Sequence, residues 1–90
     1  MQDNKLLART TIDYPGKPAL IVLDAHREAL LVRDLNKHGQ VWMLRKRDAG
    51  KWAAHTLLDD PHIDIQSMCV LDGNKISIFD DKSAALRIYE

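Results

Sequence analysis

The sequence lacks several features that would assign a class of protein at once. It has one cysteine, so no internal disulfide forms, and Cys69 within an apolar run is expected to be a small buried side chain in a reducing compartment. Thirteen basic and thirteen acidic side chains cancel, which removes the general attraction to nucleic acid or anionic membranes. No apolar run reaches the roughly 18 residues of a membrane span. We therefore expect a cytoplasmic protein that binds neither a polyanion nor a membrane.

Motifs for metal binding and catalysis are also missing. His26, His38, His55 and His62 lie further apart than the roughly two-to-five-residue spacing that zinc sites favour. The chain has no glycine-rich phosphate loop and no nucleophile elbow. A catalytic site would need residues from distant loops, for example His38 or His62 with Arg45 and Asp64. We expect no enzymatic activity, no cofactor and no metal.

The strongest pattern present is a β-hairpin at residues 67–80, SMCVLDGNKISIFD. Two short apolar runs flank Asp72-Gly73-Asn74, and these residue types tolerate the positive φ of tight turns. The continuous apolar run ALIVL at residues 19–23 indicates a strand that is buried on both faces. Further strands are predicted at residues 6–13, 40–47, 51–58 and 84–89, with a turn at residues 48–50. A single domain spanning residues 1–90 has enough hydrophobic residues for a modest core.

Residues 24–39 are compatible with two structures. A helix at about residues 25–38 would have Asp24 as its N-cap and Gly39 at its C-terminal end. Alternatively, residues 25–28 form a loop and residues 29–33 form a strand. The segment alone does not decide between them.

An internal repeat of about 46 residues favours the strand. Residues 8–15 match residues 54–61 at an offset of 46, and residues 30–32 match residues 76–78 at the same offset. Residues 22–24 match residues 70–72 at an offset of 48, and residues 41–45 match residues 86–90 at 45. The sequence thus predicts an all-β fold of antiparallel sheets built from two similar four-stranded halves, at about residues 6–48 and 50–90. The alternative is an α+β fold with the helix at residues 25–38.

Four short strands in about 46 residues are the size of one β-propeller blade. The order Gly50-Lys51-Trp52, His55, Val70-Leu71-Asp72-Gly73-Asn74 and then strands at residues 76–79 and 86–89 resembles blades of the FG-GAP or VCBS type. Many such blades hold calcium in an aspartate-rich loop, but residues 72–74 keep little of that loop and residues 24–26 none of it. Since two blades do not close a ring, the resemblance implies an oligomer or a larger protein.

Two polar clusters and one aromatic residue are the candidate partner-binding sites. Basic side chains beside an aromatic one can bind phosphate or a base, although charge also keeps a hairpin tip soluble. The acidic loop can bind a cationic group on a partner, or it can be a solvated turn. Trp42 suits either a core or an interface. The basic cluster consists of Arg45, Arg47, Lys51 and Trp52, and the acidic cluster of Asp59, Asp60, His62 and Asp64.

The leading hypothesis is a non-enzymatic protein-interaction module that binds its own copy or docks on a larger protein. Strands that are apolar on both faces need a covering layer, and 90 residues supply little of one. One alternative is a small α+β inhibitor or immunity-type protein that blocks a partner protein. The other is a small nucleic-acid-binding protein or nuclease that uses the basic hairpin tip.

Overall fold

The computed structural model describes residues 4–9, 11–12, 14–47, 51–72 and 75–90, and these residues form two antiparallel sheets and no helix. The all-β prediction is therefore confirmed, but the two four-stranded halves at residues 6–48 and 50–90 are not, because one sheet has four strands and the other has three. Sheet A contains four strands in chain order, which are β1 (Pro18–Asp24), β2 (Ala29–Asp34), β3 (Gln40–Lys46) and β4 (Trp52–Asp59). Sheet B contains three strands in chain order, which are β5 (Ile65–Val70), β6 (Ile76–Asp80) and β7 (Ala85–Tyr89). None of the described residues forms a helix long and apolar enough to cross a membrane.

The alternative helix at residues 25–38 is wrong. Residues 25–28 form the turn between β1 and β2, and β2 pairs with β1 on one side and β3 on the other. The run Leu30-Leu31-Val32 explains why a strand is preferred to a helix, because a strand places successive side chains on opposite faces of a sheet. A helix would have left Leu30 outside its apolar stripe.

The main core lies between the two sheets. Its fully buried side chains come from one face of each sheet, which we call the near faces. They are Ala29, Leu31, Val41 and Met43 of sheet A, and Ile65, Ile76 and Ile78 of sheet B, together with Ile63 from the connection. Between the sheets, β1 and β5 come closest. The sheets therefore meet along their first strands.

Each sheet also has an apolar face turned away from the core, which we call its far face. Alternation along the strands places Ile21, Leu23, Leu30, Val32 and Leu44 on the far face of sheet A. The same alternation places Cys69, Ser77, Phe79, Leu86 and Ile88 on the far face of sheet B. This arrangement explains the continuous apolar runs in the sequence. The prediction that β1 is buried on both faces was wrong, because Ile21 and Leu23 on its far side are exposed.

The sequence repeat has a counterpart in the hydrogen bonding of the two sheets. The Leu35 N–H donates to the Lys17 carbonyl at 2.7 Å, and the Asp81 N–H donates to the Asp64 carbonyl at 2.8 Å. β1 has a register shift between Pro18 and Leu20, as β5 has between Ile65 and Ser67. These pairs lie 46 or 47 positions apart.

Strand pairing fixes the offsets. Leu30 and Ile76 occupy equivalent positions, as do Leu44 and Tyr89, which agrees with the offsets of 46 and 45 taken from the sequence. The pairs Leu23↔Leu30 and Val70↔Ile76 make Leu23 equivalent to Val70, at an offset of 47. The match of β1 with β5 at 48 was thus wrong by one residue. That residue matters because a one-residue shift moves every side chain to the opposite face.

One predicted strand is absent from the part of the chain that the structure describes, and two predicted turns include residues outside that part. The strand predicted at residues 6–13 is not formed, since residues 4–9, 11 and 12 belong to no strand. The predicted turn at residues 48–50, and Gly73-Asn74 of the other turn, lie outside the described residues. The residues on either side of Gly73-Asn74 do pair, because the Leu71 N–H donates to the Lys75 carbonyl at 2.8 Å.

Candidate functional site

The far face of sheet B is an exposed apolar surface. Leu86 and Ile88 of β7 are 65% and 59% exposed, and Phe79 of β6 is half-buried beside Leu86. Cys69 lies on the same face and is exposed, so the prediction that it is buried was wrong. Its position follows from alternation, because its neighbours Met68 and Val70 pack against the core. This face therefore combines aliphatic, aromatic and thiol groups in the open.

The far face of sheet A is covered in one part and exposed in another. Val32 and Leu44 are buried, and they line a cavity of about 100 Å³ together with Leu30 and Ile12. Leu23 lies towards the end of β1 and is 70% exposed. The N-terminal segment thus covers the middle of this face and leaves the end near Leu23 open.

Two buried aspartates fix the ends of β2 and β6. Asp34 accepts hydrogen bonds from the Lys17 and Asn36 N–H groups at 3.0 and 2.9 Å, and from the Tyr14 hydroxyl at 2.8 Å. Asp80 accepts from the Asp64 and Lys82 N–H groups at 2.9 and 3.0 Å. Each carboxylate therefore ties the segment before its sheet to the turn within it.

These contacts also set the ionisation of the two aspartates. The Asp64 N–H, the Ser83 hydroxyl and the Lys82 N–H lower the pKa of Asp80 from 3.8 to about 2. The Asn36 N–H and the Tyr14 hydroxyl lower the pKa of Asp34. Burial and the bond to Asp34 raise the pKa of Tyr14 to about 12. All three groups have structural hydrogen-bond partners, so we assign them a role in stabilising the fold.

The basic cluster forms part of an open cavity of about 350 Å³ at one end of sheet A. Of the four residues in this cluster, Arg45 and Arg47 line the cavity, and Lys51 and Trp52 do not. The remaining lining residues are Arg27, Glu28, Lys46, Ala53 and His55. Sequence reasoning missed Arg27 and His55, since only the strand register places the β1–β2 turn and β4 next to the end of β3.

The basic cavity has a fixed wall. The Arg45 guanidinium donates to the Arg27 carbonyl from Nε at 3.3 Å and from Nη2 at 3.0 Å. Arg27 in turn donates to the buried carboxylate of Asp24, which keeps the pKa of Asp24 low although burial alone would raise it. Lys46 and Arg47 are exposed at the rim. The cavity is therefore positively charged and suited to an anion.

The acidic cluster is part of the connection between the sheets. Asp60 accepts from the His62 N–H at 2.9 Å, as in an Asx turn, and Asp64 contacts His38 Nδ1 at 3.1 Å. Asp59 is exposed at the end of β4 and lines a cavity of about 260 Å³ with Lys37 and Lys82. Asp59 and Asp64 thus have basic neighbours within the chain, and Asp60 binds a backbone N–H group, which favours the interpretation as a turn.

Trp42 lies apart from both clusters. It is half-buried on β3, and its indole N–H donates to the Gln40 side chain at 3.1 Å. It lines a shallow cavity of about 240 Å³ with Tyr14, Pro15 and Lys37. The basic cluster, the acidic cluster and Trp42 therefore line three different cavities.

The described residues contain no group of three or more histidine, cysteine, aspartate or glutamate side chains placed to hold a metal ion. In comparisons with known proteins, no family model matches the chain, and neither a curated protein nor a solved structure matches it significantly.

Proposed function

We propose that the protein is a non-enzymatic interaction module that associates with further copies of itself through the far faces of its sheets. The observation that carries this proposal is the exposure of large aliphatic side chains on both far faces, with Leu23 at 70% and Leu86 at 65%. Single exposed leucines are ordinary on protein surfaces, but apolar groups on neighbouring strands form a continuous patch. Burial of such a patch against another sheet is favourable by about 25 cal/mol per Å² of apolar surface.

The second support for self-association is that each far face resembles a face already buried. Leu30, Val32 and Leu44 on the far face of sheet A are equivalent to Ile76, Ile78 and Tyr89 on the near face of sheet B. The near face of sheet B packs on sheet A in the core. The far face of sheet A therefore carries the side chains that this sheet contact needs.

Light scattering over a range of protein concentrations tests the proposal. The expected mass is a multiple of the 10.3 kDa of one chain. Leu86→Asp should lower that mass because it places a charge on the buried surface. Gln66→Asp is the matched control, since Gln66 is an exposed β5 residue and the charge change is the same. A wild-type protein that stays monomeric at all concentrations contradicts the proposal.

A second candidate function is binding of a nucleic-acid strand at the basic cavity. The supporting observation is the placement of Arg45, Lys46 and Arg47 beside His55 around one opening. The neutral net charge argues for a small contact, so binding should be weak. Three phosphate contacts to a single strand predict that log K falls with log salt concentration at a slope of about −2.

Fluorescence anisotropy with a labelled single-stranded oligonucleotide measures this binding. Replacing Lys46 and Arg47 together with glutamine should weaken it and flatten the salt dependence. Lys75→Gln is the control, because Lys75 is exposed and belongs to sheet B. Equal affinity of the double variant and the control would remove this function.

A further inference from the structure

β7 is an edge strand of sheet B. Sheet A has a fourth strand, β4, paired with β3, whereas sheet B ends at β7 among the described residues. An edge strand that presents unpaired backbone groups readily accepts another strand. Since β3 and β7 are equivalent at an offset of 45, no strand of the described residues fills the place in sheet B that corresponds to β4.

The chain contains a segment whose sequence matches that missing strand. Residues 8–15 match residues 54–61 at an offset of 46, which overlays residues 6–13 on β4. Leu6 and Leu7 in this segment are 80% and 92% exposed, and the described part of residues 4–12 belongs to no strand. The sequence of this segment therefore resembles β4, but its described residues are not paired in either sheet.

The contacts of Ile12 support the same correspondence independently. Leu58 of β4, the equivalent of Ile12, lines a cavity with Ile76, Ile78 and Tyr89 on the near face of sheet B. Ile12 lines a cavity with Leu30, Val32 and Leu44, which are the equivalents of those three residues. Suppose that another sheet stacked on the far face of sheet A. Ile12 lies where a residue of the fourth strand of that sheet would lie. No sheet formed by the described residues occupies that neighbouring position.

We infer that the chain assembles head to tail, with residues 6–12 of one copy forming the fourth strand of sheet B in the next copy. This inference rests on the proposed self-association and specifies its partner and geometry. The far face of sheet A in one copy stacks on the far face of sheet B in its neighbour, as the near faces stack within a chain. Because the two contacting surfaces differ, the contact is heterologous and repeats until a ring closes.

The inferred assembly has an expected size. Each copy contributes two sheets, and rings of sheets that meet along their first strands usually contain about four to eight of them. Closed rings of roughly two to four copies follow. β1 and β5, the strands in closest approach between the sheets, would line the centre.

Cysteine cross-linking tests the strand exchange in the full-length chain. In sheet A, Met43 pairs with His55. Ile88 is the equivalent of Met43, and Arg9 is the equivalent of His55, so Arg9 should lie opposite Ile88 in the assembly. Opposed residues in antiparallel strands have Cα atoms about 4.5–5.5 Å apart, which is within disulfide range. In a Cys69→Ser background, Arg9→Cys chains mixed with Ile88→Cys chains should form a covalent heterodimer on oxidation. Gln66→Cys in place of Ile88→Cys is the control, because β5 lies at the opposite edge of sheet B.

The outcomes separate the inference from the proposed function. A monomeric protein by light scattering overturns both of them. An oligomer in which Arg9→Cys gives no more cross-linking with Ile88→Cys than with Gln66→Cys overturns the strand exchange and leaves self-association standing. Hydrogen exchange on the unmodified protein gives a second readout, since the amides of residues 6–12 should become protected as the oligomer forms. Unprotected amides in a preparation of confirmed oligomeric mass also overturn the strand exchange.

Discussion

Truncating Leu23 on the far face of sheet A should have an effect on stability that depends on protein concentration. Complete burial of a leucine side chain contributes about 1.5–3 kcal/mol. Leu23 is 70% exposed, so an isolated chain gains less than a third of that, and Leu23→Ala should cost an isolated chain below about 1 kcal/mol. When a second copy covers the far face, the cost should rise to about 2 kcal/mol or more, as for other buried leucines.

Urea unfolding at two protein concentrations a hundredfold apart measures the difference. Wild-type stability should increase with concentration, because association favours the folded state by mass action. Leu23→Ala should reduce this increase. Leu31→Ala is the matched control, since Leu31 is fully buried within the chain, and should cost about 2–5 kcal/mol at both concentrations. The burial of Leu23 by a second copy would be refuted if the wild-type free energy of unfolding did not change with concentration and Leu23→Ala had the same small effect at both concentrations.

Three further predictions concern the fold itself. Ala84 has a φ of 53°, so Ala84→Gly should stabilise the β6–β7 hairpin by about 0.5–1 kcal/mol, measured by urea unfolding; destabilisation would contradict this. A Cβ on Gly39 would lie 2.0 Å from the Asp60 carbonyl oxygen, so Gly39→Ala should lower the thermal midpoint, and an unchanged midpoint would argue against this close contact. The Asp80 carboxylate, whose pKa falls to about 2, stabilises the fold above about pH 4 and loses this contribution as the pH falls towards 2. Asp80→Asn should reduce that pH dependence of unfolding, and an unchanged pH profile would assign the acid sensitivity to other carboxylates.

The sequence was sufficient to predict the fold class and most of the strands. The hairpin at residues 67–80 has the length and alternation of β5 and β6, and transferring it to residues 20–32 correctly replaced a helix with β1 and β2. The offset for β1 and β5 was wrong because the identical tripeptide Val-Leu-Asp suggested 48. Backbone pairing gives 47, and matching side chains alone do not specify register where both faces are apolar.

The candidate sites were harder to predict because they depend on that register. Arg45 and Arg47 were found from a basic run, but Arg27 joins them only because Ala29 lies opposite Arg45. Cys69 was expected to be buried because it lies in an apolar run. Its side chain is exposed because it points to the opposite face from its neighbours Met68 and Val70, which pack against the core. Asp34 and Asp80 did leave a signal in the sequence, since both end an apolar strand at an offset of 46.

The register also determines what kind of assembly the two sheets allow. At the observed offsets, the near face of sheet B is equivalent to the far face of sheet A, as Ile78 is to Val32. The near face of sheet A is equivalent to the far face of sheet B, as Met43 is to Ile88. Stacking within the chain is therefore directional, and it leaves two different surfaces that complement each other. Face-to-face dimers would pair like surfaces and leave the edge of β7 open, whereas head-to-tail contact repeats the packing of the core and fills that edge.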